Sequence, residues 1–269
     1  MSDRGVIADY LAEAAESGLL NAVDGSHYVC GVTLDPLTGE ETVFVEYVSS
    51  DLLQDGPKWI KLLAALREQG RGARTALIRK PAVLPCPPQA EHHTHYLLAH
   101  GRPRRTTEPL SQLMIRRADR SGEQDRVLAW LAKALVSGYS ERGKRVDFEI
   151  ALEIARARFA ADGAVMLVAV LPDAGVIGHA TLVPDCCDDV TGREYVELVD
   201  VLIGEGPVRR VQESLTFAAV DLAGELGRPL QGNVVCAAPV DGIRRCRQIA
   251  GYLEETGWVA DHDLMEVAL

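Results

Sequence analysis

The sequence predicts an α/β fold of the α+β kind, with a mixed sheet flanked by helices. Segments of strand length recur along the chain, some alternating in polarity, as at residues 41–48, and some continuously apolar, as at residues 164–171. Segments with apolar residues at helical spacing separate them, as at residues 209–227. With 269 residues, 47% of them hydrophobic, the chain is long enough to bury the core of one large or two small domains.

The first 108 residues are predicted to form a smaller α/β half-domain. Val6, Ile7, Tyr10 and Leu11 stand at helical spacing, and the Thr38-Gly39 turn joins two strands into a hairpin. A proline-rich stretch before the last strand predicts an extended surface connection. The predicted helices cover residues 5–20 and 58–69, and the predicted strands cover residues 27–34, 41–48, 73–78 and 94–99.

A polar and basic stretch at residues 101–109 is predicted to be a linker, so the second domain spans residues 112–269. Its order is strand, two helices, three strands, helix, strand, helix and strand. Val127, Leu128, Leu131 and Leu135 define the apolar face of its first helix. The predicted strands are 113–117, 164–171, 176–183, 194–203, 231–236 and 264–269, and the predicted helices are 122–137, 147–161, 209–227 and 242–255.

Charge and cysteine usage exclude several classes of protein. The formal net charge of −11 opposes binding to nucleic acid or an anionic membrane, although a local basic cluster could bind an anion or lie on a solvated connector. The cluster comprises Arg102, Arg104, Arg105, Arg116, Arg117 and Arg120. Without an apolar run of membrane-spanning length, a signal peptide or a C-x-x-C pair, the chain is predicted to be cytoplasmic with six reduced cysteines, and its composition is typical of a bacterial protein.

An internal similarity connects the two halves. Residues 38–48 (TGEETVFVEYV) and 191–201 (TGREYVELVDV) align without gaps, with Val43 matching Val196 and Val48 matching Val201. Either the first half is a truncated copy of the second, or common hairpin chemistry produced the match. Both explanations stay open at this point.

From residue 113 to 269, the element order and three local sequences resemble the GNAT superfamily of N-acyltransferases. Val176-Ile177-Gly178-His179 matches the family's fourth strand and residues 195–201 match its fifth, and in the family these two strands splay apart. The Gly257-Trp258 step before the last strand matches a third family feature. The resemblance covers a little under three-fifths of the chain and implies acetyl-CoA as the co-substrate.

The same resemblance implies where coenzyme A binds. The family holds the pyrophosphate with a glycine-rich turn at a helix start, where unpaired N–H groups and the helix dipole favour an anion. Here Gly204 and Gly206 come too early for that pattern, and two arginines take the later positions, offering guanidinium groups instead. A backbone N–H at Val201 is expected to stabilise the thioester oxygen. The predicted cofactor contacts are Val201, Ile203, Val208, Arg209, Arg210, Val211 and Gln212.

A base must remove a proton from the attacking amine. Glu197 matches the position of a strand glutamate that serves this purpose in some family members, and His179 and Asp200 are further candidates. Strand alternation predicts that Glu197 and Asp200 face opposite ways, so that one of them looks into the acceptor cleft. The usual general-acid tyrosine position is occupied by Leu253, with Tyr252 on a neighbouring core position.

No metal site is predicted. His92, His93 and His95 follow Glu91, but the sequence offers no second ligand pair at zinc-type spacing. Cys186 and Cys187 lie among acidic residues, which oppose thiolate formation.

Three functions remain open at the level of sequence. The first is acetyl transfer from acetyl-CoA to a primary amine of a small molecule, antibiotic or peptide. The second is an inactive GNAT-like protein that binds a partner or completes a homodimer. The third is an acyltransferase of the same fold that takes its acyl group from a carrier protein or a charged tRNA, although the acidic net charge disfavours tRNA.

Overall fold

A computed structural model describes residues 3–118, 122–160, 163–204, 207–236 and 240–269. Every predicted helix and strand is present, and two short elements, β1 and α2, were not predicted. Arg120 of the basic cluster and Gly206 of the expected phosphate turn lie outside the described residues. The first half contains α1 (Asp3–Glu16), β1 (Leu20–Val23), β2 (Ser26–Leu34), β3 (Glu41–Val48), α2 (Ser50–Gln54), α3 (Gly56–Gln69), β4 (Thr75–Pro81) and β5 (Ala90–Ala99).

The second half carries the longer helices. Asp147 caps α5 by accepting hydrogen bonds from the N–H groups of Glu149 and Ile150, which fixes the start of that helix. The elements are β6 (Met114–Arg117), α4 (Gln124–Glu141), α5 (Phe148–Phe159), β7 (Val165–Leu171), β8 (Gly175–Asp188), β9 (Arg193–Ile203), α6 (Val208–Glu225), β10 (Leu230–Val235), α7 (Val240–Thr256) and β11 (Val259–Ala268). No described helix is long and apolar enough to cross a membrane.

The described strands form one mixed sheet of eleven strands in the order β1-β2-β3-β4-β11-β5-β10-β9-β8-β7-β6. The order exchanges two strands between the halves. β5, from the first half, lies between β10 and β11, whereas β11, the last strand of the chain, lies between β4 and β5. The division at residues 108 and 112 stays a prediction, since the sheet runs without interruption across it.

Both hydrophobic cores depend on this exchange. The core of the second half includes Leu97 and Ala99 of β5. The core of the first half includes Met265 and Val267 of β11. Each half therefore buries apolar side chains that the other half supplies, which couples their stabilities.

The internal similarity has a structural counterpart. In each half a hairpin is followed by a helix and a strand parallel to the hairpin's second strand. Val43 begins the parallel pairing of β3 with β4 opposite Ala76, and its aligned residue Val196 begins the pairing of β9 with β10 opposite Leu230. Both valines are fully buried. The two halves thus share a wiring pattern as well as a sequence pattern; descent from one duplication stays a prediction.

Two strands are longer than predicted because pairing partners extend them. β8 continues from its predicted end at residue 183 to Asp188, and there Cys186, Cys187 and Asp188 pair with Tyr195, Glu194 and Arg193. β11 begins at Val259 instead of residue 264 because it pairs with both β4 and β5.

Candidate functional site

The sheet splits between β9 and β10. These parallel strands pair at two positions, Leu230 with Val196 and Gln231 with Glu197, and no later pair forms among the described residues up to Ile203 and Val235. The sequence match had placed the split one strand earlier. That expectation was wrong, because β8 and β9 form a hairpin that pairs along almost its whole length.

A bulge in β9 lies at the start of the split. Leu198 pairs with Leu182 and Asp200 with Thr181, so Val199 is an extra residue without a register partner on β8. Thr181 and Val183, the partners of Asp200 and Glu197, are two residues apart and share a face. Glu197 and Asp200 therefore also share a face, and the prediction from simple alternation, that they point in opposite directions, was wrong.

The split opens into a cleft of about 800 Å³ between α6 and α7. Its apolar wall contains Phe217, Leu253 and Trp258, and its polar lining contains Asn233 and Gln248. Gly232 lets Trp258 approach the strand, since a Cβ at Gly232 would lie 3.1 Å from the indole ring. Both unpaired strand edges also line the cleft, at Leu198, Val199, Asp200 and Val201 of β9 and at Gly232, Asn233, Val234 and Val235 of β10.

Four of the seven predicted cofactor contacts line this cleft, namely Val201, Val208, Arg209 and Gln212. The other three have structural roles. Val211 is fully buried in the core, and Ile203 packs so closely on β8 that a Cβ at Gly178 would lie 2.8 Å from its side chain. Arg210 donates hydrogen bonds to the backbone oxygens of Glu108 (2.7 Å) and Pro109 (2.9 Å).

Gly204 has a packing role as well. A Cβ on this residue would lie 2.5 Å from the ring of Trp130, so glycine is needed where the chain leaves β9 and crosses that ring.

The linker lies along the mouth of the cleft. Pro103 and Arg104 line it, and the N–H of Arg104 donates to the backbone oxygen of Thr256 at 2.6 Å. Burial raises the pKa of Glu213, but hydrogen bonds from Thr106 and Thr107 outweigh it and lower that pKa to about 2. The Glu213 carboxylate is therefore ionised and holds the linker against α6.

Tyr252 lies at the mouth of the cleft. The expectation from the sequence that it occupies a core position was wrong. Its hydroxyl lies 2.6 Å from Thr106 Oγ1 and donates to Glu213 Oε1 at 3.1 Å. The guanidinium of Arg209 stacks on its ring at 4.9 Å and donates to Thr106 Oγ1 at 3.3 Å. Sequence reasoning missed the linker's part in the cleft, although it named Arg102, Arg104 and Arg105 among residues that could bind an anion or lie on a solvated connector.

The three catalytic candidates occupy different environments. Asp200 lines the cleft, and its Oδ1 lies 3.2 Å from His179 Nδ1. His179 is fully buried and stacks on Trp130 with a ring separation of 5.9 Å. Glu197 lies where β9 and β10 still pair, opposite Gln231, and does not line the cleft.

Burial lowers the pKa of His179 to about 4, so the ring is neutral at pH 7. Its Nε2 is buried and has no hydrogen-bond partner among the described residues. His179 Nδ1 lies 3.4 Å from Thr181 Oγ1 and 3.2 Å from Asp200 Oδ1, and both carboxylate oxygens of Asp200 are buried.

The depressed pKa predicts a pH dependence of stability. The unfolded chain binds a proton on this histidine below about pH 6.5 and the folded chain does not, so stability is full above that pH and falls as pH drops toward 4. We expect the free energy of unfolding to lose about 2 kcal/mol through His179 between pH 7 and 5. His93, whose pKa burial and then Arg142 lower to about 3, acts in the same direction.

Urea unfolding at pH 7 and pH 5 measures this difference. His179→Gln should reduce the pH 7 to pH 5 difference by about 2 kcal/mol, whereas His27→Gln, at an exposed position, should leave it unchanged. Equal pH dependence in the wild type and in His179→Gln would contradict the assignment.

Comparison with solved structures identifies the fold. A GCN5-related N-acetyltransferase from Sphaerobacter thermophilus superposes with a TM-score of 0.51 at 14% identity, covering 90% of this chain and 76% of that one. The chain therefore has a GNAT-superfamily fold, as the resemblance predicted.

Two further structures cover more of the chain at lower TM-scores. A functionally unknown conserved protein from Staphylococcus epidermidis gives 0.48 at 11% identity, with 92% of both chains covered. A tandem GNAT protein from the clavulanic acid biosynthesis pathway gives 0.46 at 13% identity, covering 98% of this chain and 94% of that one. No protein-family model and no curated protein matches the sequence.

Proposed function

We propose that the protein is an acyl-coenzyme A dependent N-acyltransferase that transfers an acyl group, acetyl in the simplest case, to a primary amine of a small molecule or peptide. The observation that carries the proposal is the cleft between β9 and β10. Two strand edges diverge there and leave backbone N–H and C=O groups facing a cavity of about 800 Å³, within the size range of ligand sites.

The residues in the cleft fit coenzyme A. Its pantetheine arm carries amide groups that can pair with an unpaired strand edge, as a peptide does when it extends a sheet. β10 reaches the cleft at Asn233 and Val235, which are exposed, whereas Gly232 is buried against Trp258. At the mouth, Arg209 and the start of α6 suit a pyrophosphate, because no acidic residue occupies the first turn of that helix.

When bound, acyl-coenzyme A supplies a thioester carbonyl that is open to attack by an amine. We assign the β9 backbone from Val199 to Val201 to stabilise the negative charge that develops on the carbonyl oxygen. We assign Asp200 to accept the proton that the amine loses, and His179 to hold Asp200 in position through Nδ1. Leu253 cannot protonate the leaving thiolate, and a thiolate can leave without such help because of its modest basicity.

The contacts of Arg209 at the mouth of the cleft also favour a second candidate function, that of an inactive binding protein of the same fold. Arg209 is already bonded to Thr106 and stacked on Tyr252, so it must leave both before it reaches a phosphate. If these contacts persist, the cleft binds coenzyme A weakly or not at all.

Calorimetry and turnover assays separate the candidates. We expect saturable binding of acetyl-coenzyme A and of desulfo-coenzyme A, and release of free thiol when the protein and acetyl-coenzyme A meet a panel of primary amines. The absence of binding at millimolar ligand would exclude a coenzyme A-dependent enzyme and leave a carrier protein as the donor to test. Binding without turnover on any amine would support the inactive protein.

Arg209→Ala should weaken acetyl-coenzyme A binding by about 10- to 100-fold, since a charge-assisted contact to phosphate contributes about 1.5–3 kcal/mol. Arg210→Ala is the matched control, because that side chain bonds to the linker backbone and lies outside the cleft lining. Its dissociation constant should change by less than about threefold. Equal losses in both variants would contradict a phosphate contact made by Arg209 itself.

A further inference from the structure

A row of paired residues, three of them polar, crosses four strands beneath the helical layer that contains α7. The sheet register places Lys80 of β4 beside Asp263 of β11, Asp263 beside His95 of β5, and His95 beside Val234 of β10. Directly paired residues lie on one face of a sheet, and α7 packs against both β5 and β10. His95 therefore faces the helix that carries Cys246.

The contacts of His95 engage one of its two ring nitrogens. Nδ1 lies 2.8 Å from Asp263 Oδ1, and Lys80 Nζ donates to the other carboxylate oxygen at 2.6 Å. The second ring nitrogen, Nε2, is buried and has no hydrogen-bond partner among the described residues. A buried unpaired polar atom is costly, so it calls for a ligand.

Two buried sulfurs lie next to this ring. Cys236 follows the end of β10, and its N–H donates to the backbone oxygen of His93 at 2.8 Å. Cys246 lies on α7, and its sulfur lies 3.6 Å from the backbone oxygen of Val234. Both sulfurs and a ring nitrogen of His95 lie within 4.8 Å of one another.

The structure pairs Cys236 with Cys246 in a disulfide, so the expectation of six reduced thiols was wrong for these two residues. The other four cysteines form no disulfide with one another in the described part of the chain.

We propose that the reduced form of this cluster binds one zinc ion through His95, Cys236 and Cys246. Two thiolates and an imidazole form a donor set that zinc prefers, and in a tetrahedral site their ligand atoms lie about 3.5–3.8 Å apart. The three ligand atoms lie within 4.8 Å of one another, and reduction of the disulfide frees the two sulfurs to separate. A metal-bound histidine commonly donates its other N–H to a carboxylate, and Asp263 stands in that position beside His95 Nδ1. The site departs from the sequence prediction of no metal, because His95 lies far in sequence from the two cysteines.

The described part of the chain contains two other clusters of potential metal ligands. In each of them a lysine or arginine side chain already pairs with a carboxylate. Asp263 beside His92 and His95 is paired with Lys80. Asp188 beside Asp261 and His262 is paired with Arg79, and Asp261 with Arg193. The cluster with two sulfurs contains no such cation, which is why we place the metal there.

Disulfide and zinc are alternative states of one site, and the conversion requires an oxidant. A low-molecular-weight disulfide takes two electrons from the two thiolates, its own S–S bond breaks into two free thiolates, and the Cys236–Cys246 bond forms. Zn²⁺ then leaves with its charge unchanged. Since Cys236 follows β10 and Cys246 lies on α7, both states join two walls of the cleft.

The test uses the full chain, reduced with a dithiol and kept without oxygen or acyl-coenzyme A, so that it is independent of acyl transfer. We expect one equivalent of zinc by elemental analysis, and with Co²⁺ in its place a thiolate-to-cobalt charge-transfer band. Addition of glutathione disulfide should release the metal to an indicator while two protein thiols disappear.

Cys236→Ser, Cys246→Ser and His95→Gln should each weaken zinc binding by at least about a hundredfold, since each removes a ligand. Cys86→Ser and Cys187→Ser, at free cysteines outside the cluster, are the matched controls and should keep one equivalent. Thermal unfolding under the same reducing conditions identifies any variant that fails to fold. If all three ligand variants fail to fold, the cobalt spectrum of the wild type decides, because two thiolate ligands give a stronger charge-transfer band than one.

Three results would overturn the proposal. The first is a fully reduced wild type that binds no zinc or shows no thiolate band with Co²⁺. The second is equal zinc in folded ligand variants and controls, which would indicate adventitious binding. The third is a Cys236–Cys246 bond that persists in the dithiol. None of these results bears on whether the cleft binds acyl-coenzyme A.

Discussion

Replacing Asp200 by Asn is expected to lower kcat/KM for the amine acceptor by about 10²–10⁴-fold, the range that a positioned acid or base contributes. Asp200 lines the cleft beside the β9 bulge and lies 3.2 Å from His179. The amide keeps the shape of the side chain but accepts no proton from the amine. The affinity for acetyl-coenzyme A should stay within about threefold, since the thioester contacts assigned here are to backbone.

Glu197→Gln is the matched comparison, because it makes the same chemical change on the same face of the same strand. Glu197 lies in the paired part of β9, outside the cleft lining, so this variant should keep kcat/KM within about threefold. The pH profile adds a second readout. The rise of kcat/KM with pH that reports deprotonation of the base should disappear in Asp200→Asn and persist in Glu197→Gln. If Glu197→Gln is the damaging change instead, the family-based assignment of the base is right and ours is wrong.

The assignment of Asp200 instead of Glu197 as the base depends on one residue, the bulged Val199. Period-two alternation places side chains correctly along a regular strand, and the sequence marks β9 well through Val196, Leu198 and Val201. A bulge inserts one extra residue and so reverses the face of every side chain after it. Nothing in the chemistry of Val199 distinguishes a bulged valine from a regular one. The face of Asp200 could therefore not be predicted from local sequence.

Sequence periodicity predicted nearly all the helices and strands, because their apolar spacing depends on neighbours close in the chain. It did not predict which strands pair. The placement of β5 between β10 and β11 is a contact between residues far apart in sequence, and so is the approach of Cys246 to His95. The linker likewise looks like a solvated connector until Glu213 and Tyr252, more than a hundred residues later, are seen to hold it.

The exchange of strands makes a single ion pair important for the stability of both halves. Lys80 is 1% exposed, and its Nζ donates to Asp263 Oδ2 at 2.6 Å, to the backbone oxygen of Leu84 at 2.7 Å and to that of Pro81 at 3.3 Å. We expect Lys80→Met to lower the free energy of unfolding by about 3–5 kcal/mol, because it leaves a buried carboxylate without its cation. Urea unfolding near pH 7, with a check that the slope m is unchanged, measures this loss.

Two further variants test whether the loss of stability comes from the unpaired buried carboxylate or from the removal of a lysine as such. Lys61→Met removes a pair with Asp24 in which both side chains are largely exposed, and it should cost less than about 1 kcal/mol. The double variant Lys80→Met/Asp263→Leu removes both buried charges and should recover part of the loss, since an apolar pair of similar volume often replaces a buried ion pair at little cost. A Lys80→Met loss no larger than that of Lys61→Met would mean that Asp263 takes up a proton or finds another cation. In that case the contact of β4 with β11 would depend on apolar burial at Met265 and Val267 instead of on charge.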